Sequence, residues 1–187
     1  MPNHITTQVE ISGTKELIAK LIEDTKIKLD GDIDSNEFDF NGIVKMPPEL
    51  LNTTSPTQVL ETQEEVDAEN KRHEMSWKNG QVSAITKVEA DRRKDAYGAL
   101  NWYDWSIAHW GTKWNAYEVR YIAHTDTTLV LELQTAWGTP EVIWSTLEER
   151  GYTVKGVIFG EMDGFDYIGD GADVFEAYQN VEVEYVG

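Results

Sequence analysis

The order of apolar periodicities along the chain predicts an α+β protein, a ferredoxin-like split β-α-β sandwich with a helical insertion and an acidic, strand-rich C-terminal extension. Three observations predict it. Period-two alternation marks strands at residues 5–11, 114–123, 127–137 and 152–159. Helical spacing marks one amphipathic helix after the first strand and another before the last. Between them, residues 55–98 turn polar, charged and helix-forming. The expected division is a core from 1–54 and 99–160, an insertion at 55–98 and an extension at 161–187. A chain of 187 residues can bury an ordinary core without a metal or a disulfide.

Taken in order, Ile5, Thr7, Val9 and Ile11 give the first strand its buried face. Ser12-Gly13-Thr14 turns the chain and caps a helix over 15–24, whose stripe is Leu17, Ile18, Leu21 and Ile22. Asp30-Gly31-Asp32-Ile33-Asp34 begins like a calcium loop. However, Ser35 stands where that loop needs glycine and Asn41 where it needs a bidentate glutamate. Phe38, Phe40 and Ile43 predict a short second strand over 37–44, stopped by Pro47-Pro48. Ser55 and Gln58, spaced as a capping box around Pro56, predict a helix over 57–77. Asn79-Gly80 breaks it, and a strand or a second helix follows at 81–88. Apolar residues are sparse here, so this segment is expected to be the less stable one and to lid what comes next.

Residues 101–115, NWYDWSIAHWGTKWN, hold four of the seven tryptophans. They predict a helix capped by Asn101 and ended by Gly111, with Leu100, Tyr103, Ile107 and Trp110 on one stripe and Trp102, Trp105 and His109 on the next. Either both stripes are core, or Trp102, Trp105 and His109 join Trp114 and Trp137 in an aromatic groove rimmed by Asp104 and Lys113. A hairpin follows, with Tyr117, Val119 and Tyr121 facing Leu129, Leu131, Leu133 and Thr135. Thr139-Pro140 opens a helix to Arg150, with Ile143 and Leu147 inward and Gly151 at its end. Glycines then punctuate an extension whose strand-like runs are 165–168 and 174–186.

Four blocks carry a resemblance: MPNHITTQVEISG at the start, FDFNGIVKMPPEL at 38–50, NWYDWSIAHWGTKWNAYE at 101–118 and TAWGTPEVI at 135–143. In this order they resemble the YubB-like, ferredoxin-like proteins of bacteriophages and enterobacterial plasmids. The chain departs from that pattern at Gly138 and Thr139, where the family runs serine and proline, and in its acidic tail. The resemblance implies a ferredoxin-like fold and a mobile-element context, and it carries no catalytic residue onto this chain.

Composition narrows the chemistry. The absence of cysteine excludes disulfides, thiolate zinc sites and a cysteine nucleophile, and fits a reducing cytoplasm. No apolar run approaches the ~20 residues of a membrane span, and the first residues lack a signal-peptide pattern, so a bacterial cytoplasmic location is expected. The four histidines, His4, His73, His109 and His124, flank no nucleophile or metal motif. His109 and Asp104, the best acid/base pair, point about 140° apart on an ideal helix. No catalytic residue, cofactor or metal is therefore assigned.

Charge carries the functional expectation. Thirty-four acids against sixteen bases leave −18, concentrated at residues 23–41, with seven acids and two lysines, and at 161–187, with eight acids and no base. Such a surface repels phosphate backbones, and the only basic cluster is Arg92, Arg93 and Lys94. With the mobile-element context, the expected function is inhibition of a host protein with a basic surface, a defence nuclease or CRISPR effector, by occupying its nucleic-acid-binding groove. The partner-binding carboxylates would be Asp30, Asp32, Asp34, Asp163, Asp166, Asp170, Asp173 and Glu176. The alternative is a small-ligand or nucleotide-binding protein, or an enzyme, using the NWYDW helix and Trp137 as its pocket.

Overall fold

A computed structural model describes residues 3–29, 37–160 and 164–171. In chain order the elements are β1 (His4–Ser12), α1 (Lys15–Thr25), α2 (Pro48–Leu51), β2 (Thr53–Leu60), α3 (Gln63–Trp77), β3 (Val82–Thr86) and α4 (Lys87–Tyr97). Then come α5 (Trp102–Trp110), β4 (Tyr117–Thr125), β5 (Thr128–Ala136), α6 (Glu141–Glu149), β6 (Thr153–Gly160) and β7 (Gly164–Ile168). They form two compact units, one from Met1–Val44 with Gly111–Gly187 and one from Lys45–Trp110. The second unit takes in α5 as well as the polar segment before it. Among the described residues, no helix is long and apolar enough to cross a membrane.

The first unit is built on a five-stranded antiparallel sheet in the order β4-β5-β1-β6-β7. Alternation in β1 puts Thr7, Val9 and Ile11 on one fully buried face, in register with Leu133, Leu131 and Leu129 of β5. Into the same core α1 buries Ile18 and Leu21, and α6 buries Ile143, Trp144 and Leu147. The Thr14 hydroxyl caps α1 by accepting from the Leu17 N–H at 3.3 Å. The opposite face is polar: Gln8 of β1 donates to Glu132 of β5 at 2.8 Å, and Glu132 pairs with Arg120 of β4 at 3.6 Å.

Residues 37–44 do not form the expected strand. Asp39 instead caps a 3-10 turn over Phe40–Gly42, its carboxylate accepting the Asn41 N–H at 3.0 Å. A short polar side chain that binds local backbone in this way offers the chain an alternative to the ladder. The aromatic alternation still reports burial, because Phe38 and Phe40 are both core residues and Phe38 stacks on Trp144 at 6.2 Å.

The second unit holds a β-α-β element in which β2 and β3 run parallel and α3 makes the crossover. The helix expected over 57–77 is shortened accordingly. Its first residues are strand β2, rich in threonine, and the working capping box is Thr62 with Glu65, at the true start of α3. Of the two possibilities for 81–88, the strand is observed. Leu50, Val66, Ala84, Ile85, Ala90, Trp105 and Trp110 make this unit's core. Asn70 of α3 binds β3 like a missing strand: its Oδ1 accepts the Ser83 and Ala84 N–H groups at 2.8 and 2.9 Å, and its Nδ2 donates to the Ala84 carbonyl at 3.0 Å.

Candidate functional site

Of the eight carboxylates assigned from sequence, Asp166 and Asp170 are described, and both are exposed. Asp30, Asp32, Asp34, Asp163, Asp173 and Glu176 lie outside the described residues. Asp166 sits in β7 opposite Ile158, which in turn pairs with Thr7, so its side chain falls on the α6 side of the sheet. There it lines a cleft of about 230 Å³ with Glu141, Ser145 and Glu148 of α6 and Tyr167 of β7. Glu141, Ser145 and Glu148 share one exposed stripe because they are four and three residues apart on the helix.

Two of the cleft's carboxylates make local hydrogen bonds. Glu141 accepts from the Thr139 hydroxyl at 3.4 Å, and Asp166 accepts the Tyr167 N–H at 2.8 Å. Among the described residues, no lysine or arginine pairs with Glu141, Glu148 or Asp166. Behind them the buried Trp144 indole N–H has no hydrogen-bond partner. Chemically, the arrangement offers negative charge and a 40 % exposed tyrosine ring to a cation.

The aromatic candidates fall in both units. Trp102, Trp105 and His109 belong to α5 of the second, whereas Trp114 and Trp137 belong to the first. Trp105 is core, packed edge-on to Trp110 at 5.5 Å and stacked on His109 at 4.5 Å. His109 Nε2 lies 3.2 Å from the Tyr97 carbonyl. Asp104 is engaged with Asn101, which caps α5 by accepting the Asp104 N–H at 3.0 Å and donates to its carboxylate at 2.9 Å. The buried α5 positions are Trp105 from one sequence stripe, Trp110 from the other and Ser106 from neither, while Ile107 is 42 % exposed. Ser106 can occupy the core because its hydroxyl donates to the Tyr103 carbonyl at 3.0 Å.

Lys113, expected at the groove's rim, belongs to the first unit. Its ammonium lies 4.6 Å from the Trp114 ring centre and 4.3 Å from that of Trp137, both rings being well exposed. The backbone beneath is tightly held. Thr112 Oγ1 donates to the Ala136 carbonyl at 2.9 Å, the Lys113 N–H donates to the same carbonyl at 3.1 Å, and the Trp137 N–H donates to Asn3 at 3.0 Å. A Cβ on Gly138 would stand 2.4 Å from the Gly111 carbonyl oxygen, so only glycine fits this crossing. The frame keeps Trp137 at φ +71°, a left-handed conformation that costs a non-glycine residue roughly 1–2 kcal/mol.

Sequence reasoning missed Glu141 and Glu148, although their seven-residue spacing on the exposed side of a helix was a usable signal. No group of three His, Cys, Asp or Glu side chains placed to hold a metal ion occurs among the described residues. Compared with known proteins, the chain matches no family model, no curated protein and no solved structure.

Proposed function

We propose that this chain is an acidic binding protein that acts in the cytoplasm of a bacterial host by occupying the nucleic-acid-binding surface of a basic protein there. The observation that carries the proposal is the α6–β7 cleft, where Glu141, Glu148 and Asp166 line one concavity and, among the described residues, no lysine or arginine pairs with them. A partner's lysine or arginine entering the cleft would meet carboxylates as it would meet phosphates, with Tyr167 as an aromatic contact. Trp114 and Trp137, 39 % and 49 % exposed on either side of the Lys113 ammonium, have the character of interface anchors. The mobile-element origin, and a defence nuclease or CRISPR effector as the target, rest on the family resemblance.

The same proposal assigns the first unit a ferredoxin-like plan. Four of its strands lie in the order β4-β5-β1-β6 with every neighbour antiparallel. A β-α-β-β-α-β chain reaches that order when each helix returns the chain across one strand position. The second unit would then be inserted between the first helix and the hairpin.

The test is capture of partners from a nuclease-treated bacterial lysate on wild-type protein and on a Glu141→Lys/Glu148→Lys/Asp166→Lys variant. The wild type is expected to retain a nucleic-acid-binding protein that added DNA displaces, and the variant is expected to lose it. Equal retention by the variant, or inhibition of the captured protein at far less than one copy per target, would overturn the proposal.

A further inference from the structure

The second unit contains a larger cleft, of about 530 Å³, that the acidic surface of the first does not involve. It opens where the two parallel strands part. Between the pairs Thr53↔Val82 and Gln58↔Ala84, four residues of β2 stand opposite the single residue Ser83 of β3. Irregularities of this kind re-aim side chains beside functional sites. Helix α3 forms one wall with Arg72, His73 and Trp77, and Trp102 contributes from the start of α5.

The lining has two characters. Trp77 is 71 % exposed at the end of α3, too open to serve as core, and its ring tilts 32° to that of His73 at 6.4 Å. With Trp102 it supplies flat apolar surface. The polar groups are pre-set by bonds that leave one side of each unused. Arg72 holds Glu69 through Nε and Nη2 at 2.9 and 2.6 Å, and Nη1 has no hydrogen-bond partner among the described residues. Gln58 donates to Glu69 at 2.9 Å and keeps its carbonyl oxygen, while Gln81 accepts from Asn79 at 2.7 Å and keeps its amide N–H₂. Among the described residues His73 Nε2 is buried without a hydrogen-bond partner, a cost that folded chains seldom carry in purely structural positions.

We infer that this cleft binds a nucleobase, as a nucleoside or nucleoside monophosphate, stacked on Trp77. A planar heterocycle needs a flat aromatic surface together with a fixed donor and acceptor for its edge, and the cleft presents these within a volume typical of small-ligand sites. The net charge of −18 weighs against polyphosphates.

Isothermal titration of the full-length protein with adenosine, guanosine, cytidine and uridine, their 5′-monophosphates and ATP tests this. At least one nucleoside or monophosphate should bind saturably, and more tightly than ATP at low salt. Trp77→Ala should weaken it by roughly tenfold or more, the range expected for losing one stacking ring, with an unchanged melting temperature because the ring is exposed. Gln81→Leu should change the preference among the four bases, a readout that does not depend on removing an aromatic ring. Absence of saturable binding to any nucleoside or monophosphate, affinity undiminished in Trp77→Ala, or saturation only by methyl glycosides run in parallel would each overturn the inference.

Discussion

At Asp39 four donors meet on one carboxylate: Lys26 Nζ at 2.6 Å, the Asn41 N–H and side-chain amide at 3.0 Å each, and the Asn115 amide at 2.8 Å. Burial pushes its pKa up, but the hydrogen bonds from Lys26, Asn41 and Asn115 outweigh that and bring it from 3.8 down to about 2. A folded-state pKa below the unfolded one stabilises the fold above the unfolded value, and the contribution is lost as pH falls from about 4 through 2. The shift is worth at most about 2 kcal/mol, the exposed Lys26 being partly screened. Asp39→Ala should therefore lower the melting temperature at pH 7 and flatten the acid limb between pH 4 and pH 2, as thermal melts across that range would show. Trp137 and Trp105 make the complementary pair. Trp137→Gly removes an exposed ring and relieves φ +71°, so its stability should stay within about 1 kcal/mol of wild type. Trp105→Ala should cost about 3–5 kcal/mol in the same denaturation experiment, because that ring is 4 % exposed.

Elements were legible where periodicity and chemistry agreed. β1, α1, the β4–β5 hairpin, α6 and β6 all lie within a few residues of the sequence reading, because each couples one apolar face to a recognisable cap or turn. Residues 37–44 and 55–60 were misread for opposite reasons. Asp39 bent an alternating segment into a turn, and a spurious capping box at Ser55 and Gln58 hid strand β2, three of whose eight residues are threonine. The cleft of α6 and β7 was half visible: Asp166 stood out as an acid, but Glu141 and Glu148 became neighbours of it only through the register of β6 with β7. Asn70 was wholly hidden, since nothing in a polar helix marks the one amide that will bind a strand. Asn70→Ala leaves the Ser83 and Ala84 N–H groups without their partner and should cost about 2–3 kcal/mol. Hydrogen exchange should speed up at those two amides first, before the β1–β5 ladder of the other unit changes.

For the whole molecule the question is whether the charge of −18 acts as a general field or through a particular place. A general field would slow or speed every encounter according to net charge alone, whereas a binding cleft adds short-range pairing that depends on position. Both weaken as salt rises, since exposed charges are screened over about 8 Å at physiological ionic strength. Salt dependence by itself therefore cannot separate them. A matched variant can. Reversing Glu141, Glu148 and Asp166 to lysine, or reversing Glu64, Asp91 and Asp95 of the second unit, changes the net charge equally, all six being exposed acids. With a captured partner in hand, the first set should raise the dissociation rate and flatten the dependence of affinity on salt. The second set should alter only the association rate, by the modest amount that net charge dictates. Stopped-flow association and dissociation at two salt concentrations would show this split. If both sets acted alike, the carboxylates of the α6–β7 cleft would have no role beyond the field they share with every other acid on the surface.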